Sequence, residues 1–253
     1  MGTQPNDWNS LGAERLIAPL ACAVHRVVES QETVATLMLV DNRDEQQVLE
    51  ELLERSKPSL AADLTDLHYL LAAPFRYPPL AHGSRFGARH ERGIFYGSVR
   101  VETALGECAF YRLLFLAGLS EPFTEDVITR HTAFNVDLQT ERGLDLCAAA
   151  FAPAREWLRS PVNYSAAQAF GSAMRANGVE AFLYLSARLQ EDDAVNVGVF
   201  KPGALENRID DAVAWVCISN AAEIRWVDTL NRQSVAFSSS RFLVDGRLPQ
   251  PAV

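Results

Sequence analysis

The chain has 253 residues, of which 48% are hydrophobic and 22% charged, a composition that is ordinary for a water-soluble globular protein. Its formal net charge is −9 and it carries no basic run, so direct binding of nucleic acid is not expected. No stretch approaches the roughly 20 consecutive apolar residues of a membrane helix, and the polar residues 1–10 do not resemble a signal peptide.

Four segments are predicted as helices. Apolar residues recur at helical spacing over residues 44–55, directly after polar residues that favour a helix start. Thr103 is predicted to cap the third helix, and Asn177-Gly178 is a typical end for the fourth. In chain order, the predicted helices cover residues 44–55, 62–71 (ended by Pro74), 104–115 and 165–176.

Eight segments are predicted as strands, because β-branched and apolar residues are concentrated in them. Pro, Gly, Arg and His are dense over residues 74–92, which indicates an irregular loop. Most strands follow the last helix, and such a segregation favours an α+β fold over a doubly wound sheet. The predicted strands cover residues 24–28, 34–40, 94–96, 126–138, 179–185, 195–200, 212–218 and 224–227.

Several common signatures are missing from the sequence. It contains no GxGxxG and no GxxxxGK[ST] motif, so the usual phosphate-binding loops are absent. It contains no HExxH motif, and its five histidines do not have ligand spacing, so no metal site is predicted. The four cysteines are scattered and form no CxxC pair, which is typical of buried thiols in a reducing compartment. We therefore expect a cytoplasmic protein.

Three polar residues interrupt apolar segments. Glu107 lies in an apolar stripe of the third predicted helix, where it is either a solvated edge residue or a carboxylate that faces a cavity. In a cavity it would stabilise developing positive charge. Arg26 interrupts the apolar strand at residues 24–28, which suggests an anionic contact. Tyr96, in an apolar strand, is either a core residue or a stacking platform.

Other candidates lie in the loop and at the start of the last helix. Arg85 lies within the sequence Gly-Ser-Arg-Phe-Gly, where the glycines allow a ligand to approach the backbone; the alternative is a surface charge. Arg76 and Tyr77, before two prolines, are a similar case. Ser165 and Gln168 fit a capping box, in which each side chain bonds the backbone of the helix start. The first-turn amides of that helix are also suited to a phosphate.

The order of these residues resembles the RES domain family. Over residues 75–112, Arg85 follows the glycine loop, Tyr96 ends the next strand, and Glu107 follows a Thr-Ala pair on a helix, as in the family. Residues 164–188 are similar to the second block of the family, in which an aromatic-Ser-x-x-Gln-Ala-x-Gly motif opens a helix and places the family serine at Ser165. The loop of the family, Gly-Gly-Arg-Trp-Asn, reads Gly-Ser-Arg-Phe-Gly here.

The resemblance covers about residues 20–205 and implies one RES-type domain over residues 1–253. The implied fold is α+β and related to the ADP-ribosyltransferases, with two small sheets around an NAD+ cleft and a helical elaboration. The first arginine of the family is either Arg26, with residues 27–75 as the elaboration, or Arg76 with Tyr77. Arg26 is preferred because an arginine on a strand fits the family pattern.

The resemblance also implies roles for the site residues, with NAD+ as the substrate and no metal. Glu107 would stabilise the ribose as the nicotinamide leaves, and Tyr96 would stack on nicotinamide. Arg26 and Arg85 would bind the pyrophosphate or an attacking phosphate, and Ser165 would orient a phosphate or the ribose. Arg76 and Tyr77 are further candidates for binding NAD+.

The implied function is that of the toxin in a bacterial type II toxin–antitoxin system, which cleaves the nicotinamide–ribose bond of NAD+ by phosphorolysis or hydrolysis. One alternative is a mono-ADP-ribosyltransferase that modifies a specific cellular protein, and another is an inactive domain that only binds a partner. The implied partner is an Xre-like helix-turn-helix antitoxin that blocks the cleft and supplies the DNA binding. The sequence leaves open the acceptor, the oligomeric state, and the roles of residues 1–20 and 206–253.

Overall fold

The computed structural model describes residues 7–30, 40–120 and 125–250, and within these ranges no helix is both long and apolar enough to cross a membrane. The helices are α1 (Arg43–Ser56), α2 (Tyr69–Arg76), α3 (Val101–Ala117), α4 (Arg155–Leu158) and α5 (Ser165–Ala176). The strands are β1 (Ala18–Glu29), β2 (Phe95–Ser98), β3 (Val127–Asp145), β4 (Ala181–Leu185), β5 (Val195–Val199), β6 (Asp210–Ser219), β7 (Glu223–Asp228) and β8 (Ser234–Ser238). The predicted α+β class is confirmed.

The long strand β3 organises the sheet. It pairs antiparallel with β1 along most of its length. On its other side, residues 127–135 pair with β6, whereas residues 143–145 pair parallel with β4. The order β1-β2-β5-β4-β3 closes back on β1, and β6, β7 and β8 continue from β3 as antiparallel neighbours. In place of the two predicted small sheets, the described strands form one connected eight-stranded sheet, because the long strand β3 pairs with both portions.

Three hydrophobic clusters hold helices α2, α3 and α5 on the sheet. The first contains Phe170 of α5, and the second contains Leu71 and Phe75 of α2. The third joins α3 to β6 and β7 through residues such as Phe110 and the fully buried Trp226. Apolar burial of about 25 cal/mol per Å² makes such clusters the main stabilising contribution to the fold. They fix α3 and α5 against the sheet, and these two helices flank the candidate site described below.

The second predicted helix is placed wrongly. Residues 62–64 form a short 3-10 turn, and α2 begins only at Tyr69 and includes Pro74. Proline within a helix costs about 3 kcal/mol or more because its backbone donor is lost. The side chains of Leu71 and Phe75 are buried on the sheet, and such burial contributes about 1.5–3 kcal/mol for each side chain. Packing of these two side chains thus offsets the cost of Pro74 within the helix.

Other predictions have mixed outcomes. Helix 44–55 lies within α1, and the helix between Ser165 and Asn177 is α5, so both are confirmed. Thr103 is not an N-cap: α3 begins at Val101, because pairing with β5 extends to Val99 and the chain turns directly into the helix. Strand β8 was not predicted. The predicted strand 34–40 lies, except for residue 40, outside the described residues.

Candidate active site

A cavity of about 380 Å³ opens between β1, β2, α3 and the loop that precedes β2. Its walls include four predicted site residues, Arg26, Arg85, Tyr96 and Glu107, although they come from separate elements of the fold. Its volume lies within the range of roughly 300–1,000 Å³ that is usual for small-molecule sites. Among its lining residues, all of them in the described part of the chain, Glu107 is the only carboxylate.

The carboxylate of Glu107 is held by one of its two oxygens. Oε1 accepts hydrogen bonds of 2.6 Å from the hydroxyl of Ser186 and 2.6 Å from the side-chain amide of Asn196. The amide is itself oriented, because the buried Ser98 hydroxyl donates to Oδ1 of Asn196 at 2.7 Å. No described residue donates a hydrogen bond to Oε2, so this oxygen is available to a ligand hydroxyl.

Ser186 acts as a donor because of its own backbone neighbours. Its Oγ accepts from the backbone amides of Arg188 at 3.0 Å and Leu189 at 2.9 Å. These two bonds occupy its acceptor positions, so the hydroxyl proton is directed to Glu107. The turn after β4 therefore fixes the orientation of the carboxylate on α3, which comes from a distant part of the sequence.

Three arginines line the same cavity, and none of them forms an ion pair with any described carboxylate. Arg85 lies over the ring of Tyr164, 4.5 Å from its centroid, and its Nη1 donates to the carbonyl of Ser160 at 2.6 Å. Arg188 lies 3.6 Å from the centroid of Phe110 and donates to the hydroxyl of Tyr164 at 2.5 Å. Their positive charges are thus oriented by rings and neutral acceptors but not neutralised.

Arg26 is the least compensated of the three. Its guanidinium lies over the ring of Phe95, 4.7 Å from the centroid, and its buried Nη1 has no hydrogen-bond partner among the described residues. Burial lowers its pKa to about 10, so the group stays charged at neutral pH. Arg26 is half-buried, and a cation in such a position without an anionic partner carries a desolvation cost. A bound anion would remove this cost.

Tyr96 and Gln168 shape the loop that carries Arg85. The Tyr96 hydroxyl hydrogen-bonds Ser84 Oγ at 2.9 Å and accepts from the amide of Phe86 at 3.2 Å. Burial raises the pKa of Tyr96 to about 12, so it is neutral. Gln168 Nε2 donates to the carbonyls of His82 and Ser84, both at 2.9 Å. Hydrogen bonds from Tyr96 on β2 and Gln168 on α5 therefore fix the position of the loop.

This contact of Gln168 overturns the predicted capping box. Ser165 is the first residue of α5 and forms no side-chain cap, and its amide donates to Oδ1 of Asn163 at 2.9 Å. Gln168 does not reach back to the helix start, because its amide donates instead to the carbonyls of His82 and Ser84. The glutamine is thus part of the support of the site.

Three predicted site residues do not line the cavity. Ser165 is exposed at the start of α5, although the neighbouring Tyr164 does line it. Arg76 hydrogen-bonds Glu54 at 2.9 Å and the carbonyl of Pro58 at 2.7 Å. Tyr77 is also not a lining residue, and 43% of it is exposed. Of the two candidates for the first arginine, the structure places Arg26 at the cavity, and the roles of all these residues stay predictions.

Three further residues at the cavity or in contact with Glu107, namely Ser186, Arg188 and Asn196, were not predicted from the sequence. A signal for Asn196 exists, because it is a buried polar residue in the apolar strand Val-Asn-Val-Gly-Val. Ser186 and Arg188 follow directly after the apolar strand β4 and are buried as well. In the described ranges, no group of three or more His, Cys, Asp and Glu residues is arranged to hold a metal ion.

Comparison with known proteins identifies the family. None of the curated proteins compared matches the chain. A solved structure with similarity over 91% of this chain and 92% of its own is titled "Crystal structure of the M.tuberculosis MbcT-MbcA toxin-antitoxin complex", with a TM-score of 0.44 and 10% identity. The RES domain matches residues 60–218, which is more than half of the chain and includes Arg85, Tyr96 and Glu107. The chain therefore belongs to the RES domain family.

Proposed function

We propose that this RES-domain chain consumes NAD+ by cleaving the bond between nicotinamide and ribose, and that it is the toxin of a toxin–antitoxin system. One observation carries the enzymatic part. A single carboxylate, Glu107, faces a cavity that is lined by three arginines without carboxylate partners. Such a site suits a substrate that has a negatively charged pyrophosphate at one end and a centre of developing positive charge at the other.

The arginines supply the binding energy for the anion. Guanidinium groups form forked, charge-assisted hydrogen bonds with phosphate oxygens, each about twice as strong as a neutral bond. Arg26 gains most from such a ligand, because its Nη1 is buried without a partner. We assign the pyrophosphate to Arg26 and Arg85, which are also the residues that the family resemblance suggests.

Glu107 acts at the reacting carbon. When the glycosidic bond breaks, its electron pair moves to the nicotinamide nitrogen and positive charge develops on the ribose. The free Oε2 of Glu107 accepts a hydrogen bond from a ribose hydroxyl and stabilises this charge electrostatically. Ser186 and Asn196 hold the other oxygen, so the carboxylate does not need to reorient during the reaction.

The charge balance of the cavity favours inorganic phosphate as the acceptor. Two of the three arginines match the two charges of the pyrophosphate, and the third is available for another anion. In the proposed step, an oxygen of phosphate forms the new bond to the ribose carbon as the nicotinamide nitrogen leaves with the electron pair. The products are nicotinamide and an ADP-ribose that carries phosphate on that carbon.

The toxin role and the partner are supported by the family. The similar solved structure is described as a toxin–antitoxin complex. The net charge of −9 does not suit direct DNA binding, so we assign that task to a helix-turn-helix antitoxin whose binding closes the cavity.

The test follows NAD+ by proton and phosphorus NMR with and without inorganic phosphate. We expect nicotinamide release that depends on phosphate, and a loss of at least about 100-fold in Glu107→Gln. Release without phosphate would replace phosphorolysis by hydrolysis, and transfer of label from NAD+ to protein would indicate an ADP-ribosyltransferase. Unchanged NAD+ under all these conditions would contradict the proposal.

A further inference from the structure

Helix α1 is stabilised by contacts within its own sequence. The side chain of the N-cap residue Asn42 accepts from the amide of Glu45 at 2.9 Å, and Glu45 Oε2 accepts from the amide of Asp41 at 3.0 Å, so both bonds stabilise the helix start. Gln47 bonds Glu51 one turn later at 3.3 Å. None of the side chains of α1 is buried, so this helix receives no support from the core.

One face of α1 is apolar and exposed. Val48, Leu49, Leu52 and Leu53 form a stripe along the helix, which we call the α1 stripe. The exposed fractions of Val48, Leu52 and Leu53 are 56%, 55% and 44%, whereas Leu49 is partly buried. A helix of this length is marginal in water without packing of an amphipathic face. The α1 stripe therefore has the composition of an interface without a covering element in the described part of the chain.

An ion pair attaches the polar side of α1 to the domain, while Leu49 of the α1 stripe is partly buried. Arg76 of α2 bonds Glu54 at 2.9 Å, and at 100° per residue Glu54 lies about 170° around the helix from the centre of the α1 stripe. The arginine thus holds the helix by its polar side. Moreover, α1 lies outside residues 60–218, the part that matches the RES domain.

We propose that α1 is a self-association helix, and that the α1 stripe packs antiparallel against the α1 stripe of a second copy of this chain. The stripe has the symmetry that such pairing requires. Residues 48–53 read Val-Leu-Glu-Glu-Leu-Leu, which is apolar, apolar, acidic, acidic, apolar, apolar in both directions. A two-fold axis between Glu50 and Glu51 therefore places apolar residues of one copy against apolar residues of the other.

The charges beside the stripe select the antiparallel arrangement. Asp44 and Arg55 lie on the same edge of the stripe near opposite ends of the helix, and both are exposed. In an antiparallel pair, Asp44 lies beside Arg55 of the partner subunit, and this attractive contact forms twice. In a parallel pair, the edge that carries Asp44 and Arg55 would lie on opposite sides of the interface in the two copies, so this attractive contact would not form. The only ion pair of Arg55 with a described residue is a 3.9 Å contact with Glu51.

The interface is small, so the dimer is expected to be weak. Two helices of 14 residues are each about 21 Å long and cover less than the roughly 800 Å² per partner of a standard interface. We therefore expect a dimer that dissociates on dilution rather than a permanent one.

Analytical ultracentrifugation of the full chain over a concentration series tests the proposal. We expect a monomer–dimer equilibrium whose dissociation constant rises at least 10-fold in Leu52→Lys. Leu230→Lys is the matched control, because Leu230 is an even more exposed leucine, at 74%, in a different part of the chain. Circular dichroism checks that each variant is folded. A monomer at every concentration, or a dimer that Leu52→Lys does not weaken, would overturn the proposal.

A charge exchange tests the orientation. Asp44→Lys and Arg55→Asp should each weaken the dimer, since each places like charges together across the interface. The double variant restores two attractive contacts and should return the dissociation constant to within about threefold of the wild type. A double variant at least as weak as the single ones would rule out the antiparallel pairing.

Discussion

The side-chain amide of Asn196 donates a 2.6 Å hydrogen bond to Oε1 of Glu107, the one carboxylate that lines the cavity of the described chain. The donor lies on β5 and the acceptor on α3, and the Ser98 hydroxyl on β2 fixes the orientation of the amide. Asn196 is thus a positioning residue for Glu107, because it leaves Oε2 as the oxygen that faces a ligand.

Replacing this donor by an acceptor should change the pH dependence of the reaction. Asn196→Asp has nearly the same shape but places a second carboxylate beside Glu107, and two adjacent carboxylates raise the pKa of one of them. We expect kcat for NAD+ at neutral pH to fall by about 10- to 100-fold, with partial recovery at higher pH. The measurement is the pH profile of kcat.

The matched control is Asn135→Asp, since the Asn135 amide also donates to a carboxylate, that of Asp211, at 3.1 Å, but Asn135 does not line the cavity. Asn135→Asp should keep the wild-type pH profile of kcat. A normal profile in Asn196→Asp would show that Asn196 does not position Glu107.

Replacing Arg26 should lower the affinity for NAD+ without lowering the free energy of unfolding. Arg26→Met removes a half-buried cation whose buried Nη1 has no described partner, so the free energy of unfolding should stay equal or rise. The affinity for NAD+ should fall by about 10- to 100-fold, because charge-assisted bonds of about 1.5–3 kcal/mol are lost. Calorimetric titration in the Glu107→Gln background and urea unfolding measure the two effects.

Arg76→Met serves as the control for Arg26. Arg76 bonds Glu54 and the carbonyl of Pro58 rather than lining the cavity. Its replacement should leave NAD+ affinity within about twofold of the wild type. If Arg76→Met lost affinity for NAD+ and Arg26→Met did not, Arg76 rather than Arg26 would be the arginine that binds the pyrophosphate.

Gly171 sets the distance between α5 and the loop that carries Arg85. A Cβ atom at Gly171 would lie 1.9 Å from the carbonyl oxygen of Phe86, whereas at Gly203 it would meet nothing within 4 Å. We expect Gly171→Ala to lower the free energy of unfolding by about 1–3 kcal/mol or more, as overpacking does. Gly203→Ala should change it by less than about 0.5 kcal/mol. The free energy of unfolding of both variants is measured by urea unfolding. Equal values would contradict the close approach of Gly171 to the carbonyl of Phe86.

His131 should make stability depend on pH. Burial, with a smaller repulsion from Arg112, lowers its pKa from 6.5 to about 4. Below pH 6.5 the unfolded chain therefore binds a proton that the folded chain does not, and the free energy of unfolding falls as the pH is lowered towards 4. The loss attributable to His131 between pH 7 and pH 5 is about 2 kcal/mol.

The variant His131→Gln should lose this contribution, whereas His90→Gln, at an exposed position, should retain it. The measurement is the difference in the free energy of urea unfolding between pH 7 and pH 5 for the three proteins. An identical pH dependence in all three would show that His131 is not the group responsible.

Much of the secondary structure could be predicted because its causes are local. The apolar spacing behind residues 41–44 is sufficient to define α1, and Asn177-Gly178 ends α5, where Gly178 has φ +72°. The second predicted helix failed because packing of Leu71 and Phe75 outweighed Pro74. The capping box failed because the partner of Gln168 is a loop more than 80 residues away.

The sequence by itself determined the α+β class, the resemblance to the RES family, and the unusual positions of Glu107 and Arg85. Only the tertiary structure decided that Arg26 rather than Arg76 reaches the cavity, and that Ser186 and Asn196 hold Glu107. These two contacts join residues 79 and 89 positions apart. Helical periodicity and capping act over a few residues, whereas the closure of β1 onto β2 and β3 decides which distant side chains meet. That closure depends on packing of the whole chain, so the local pattern does not contain it.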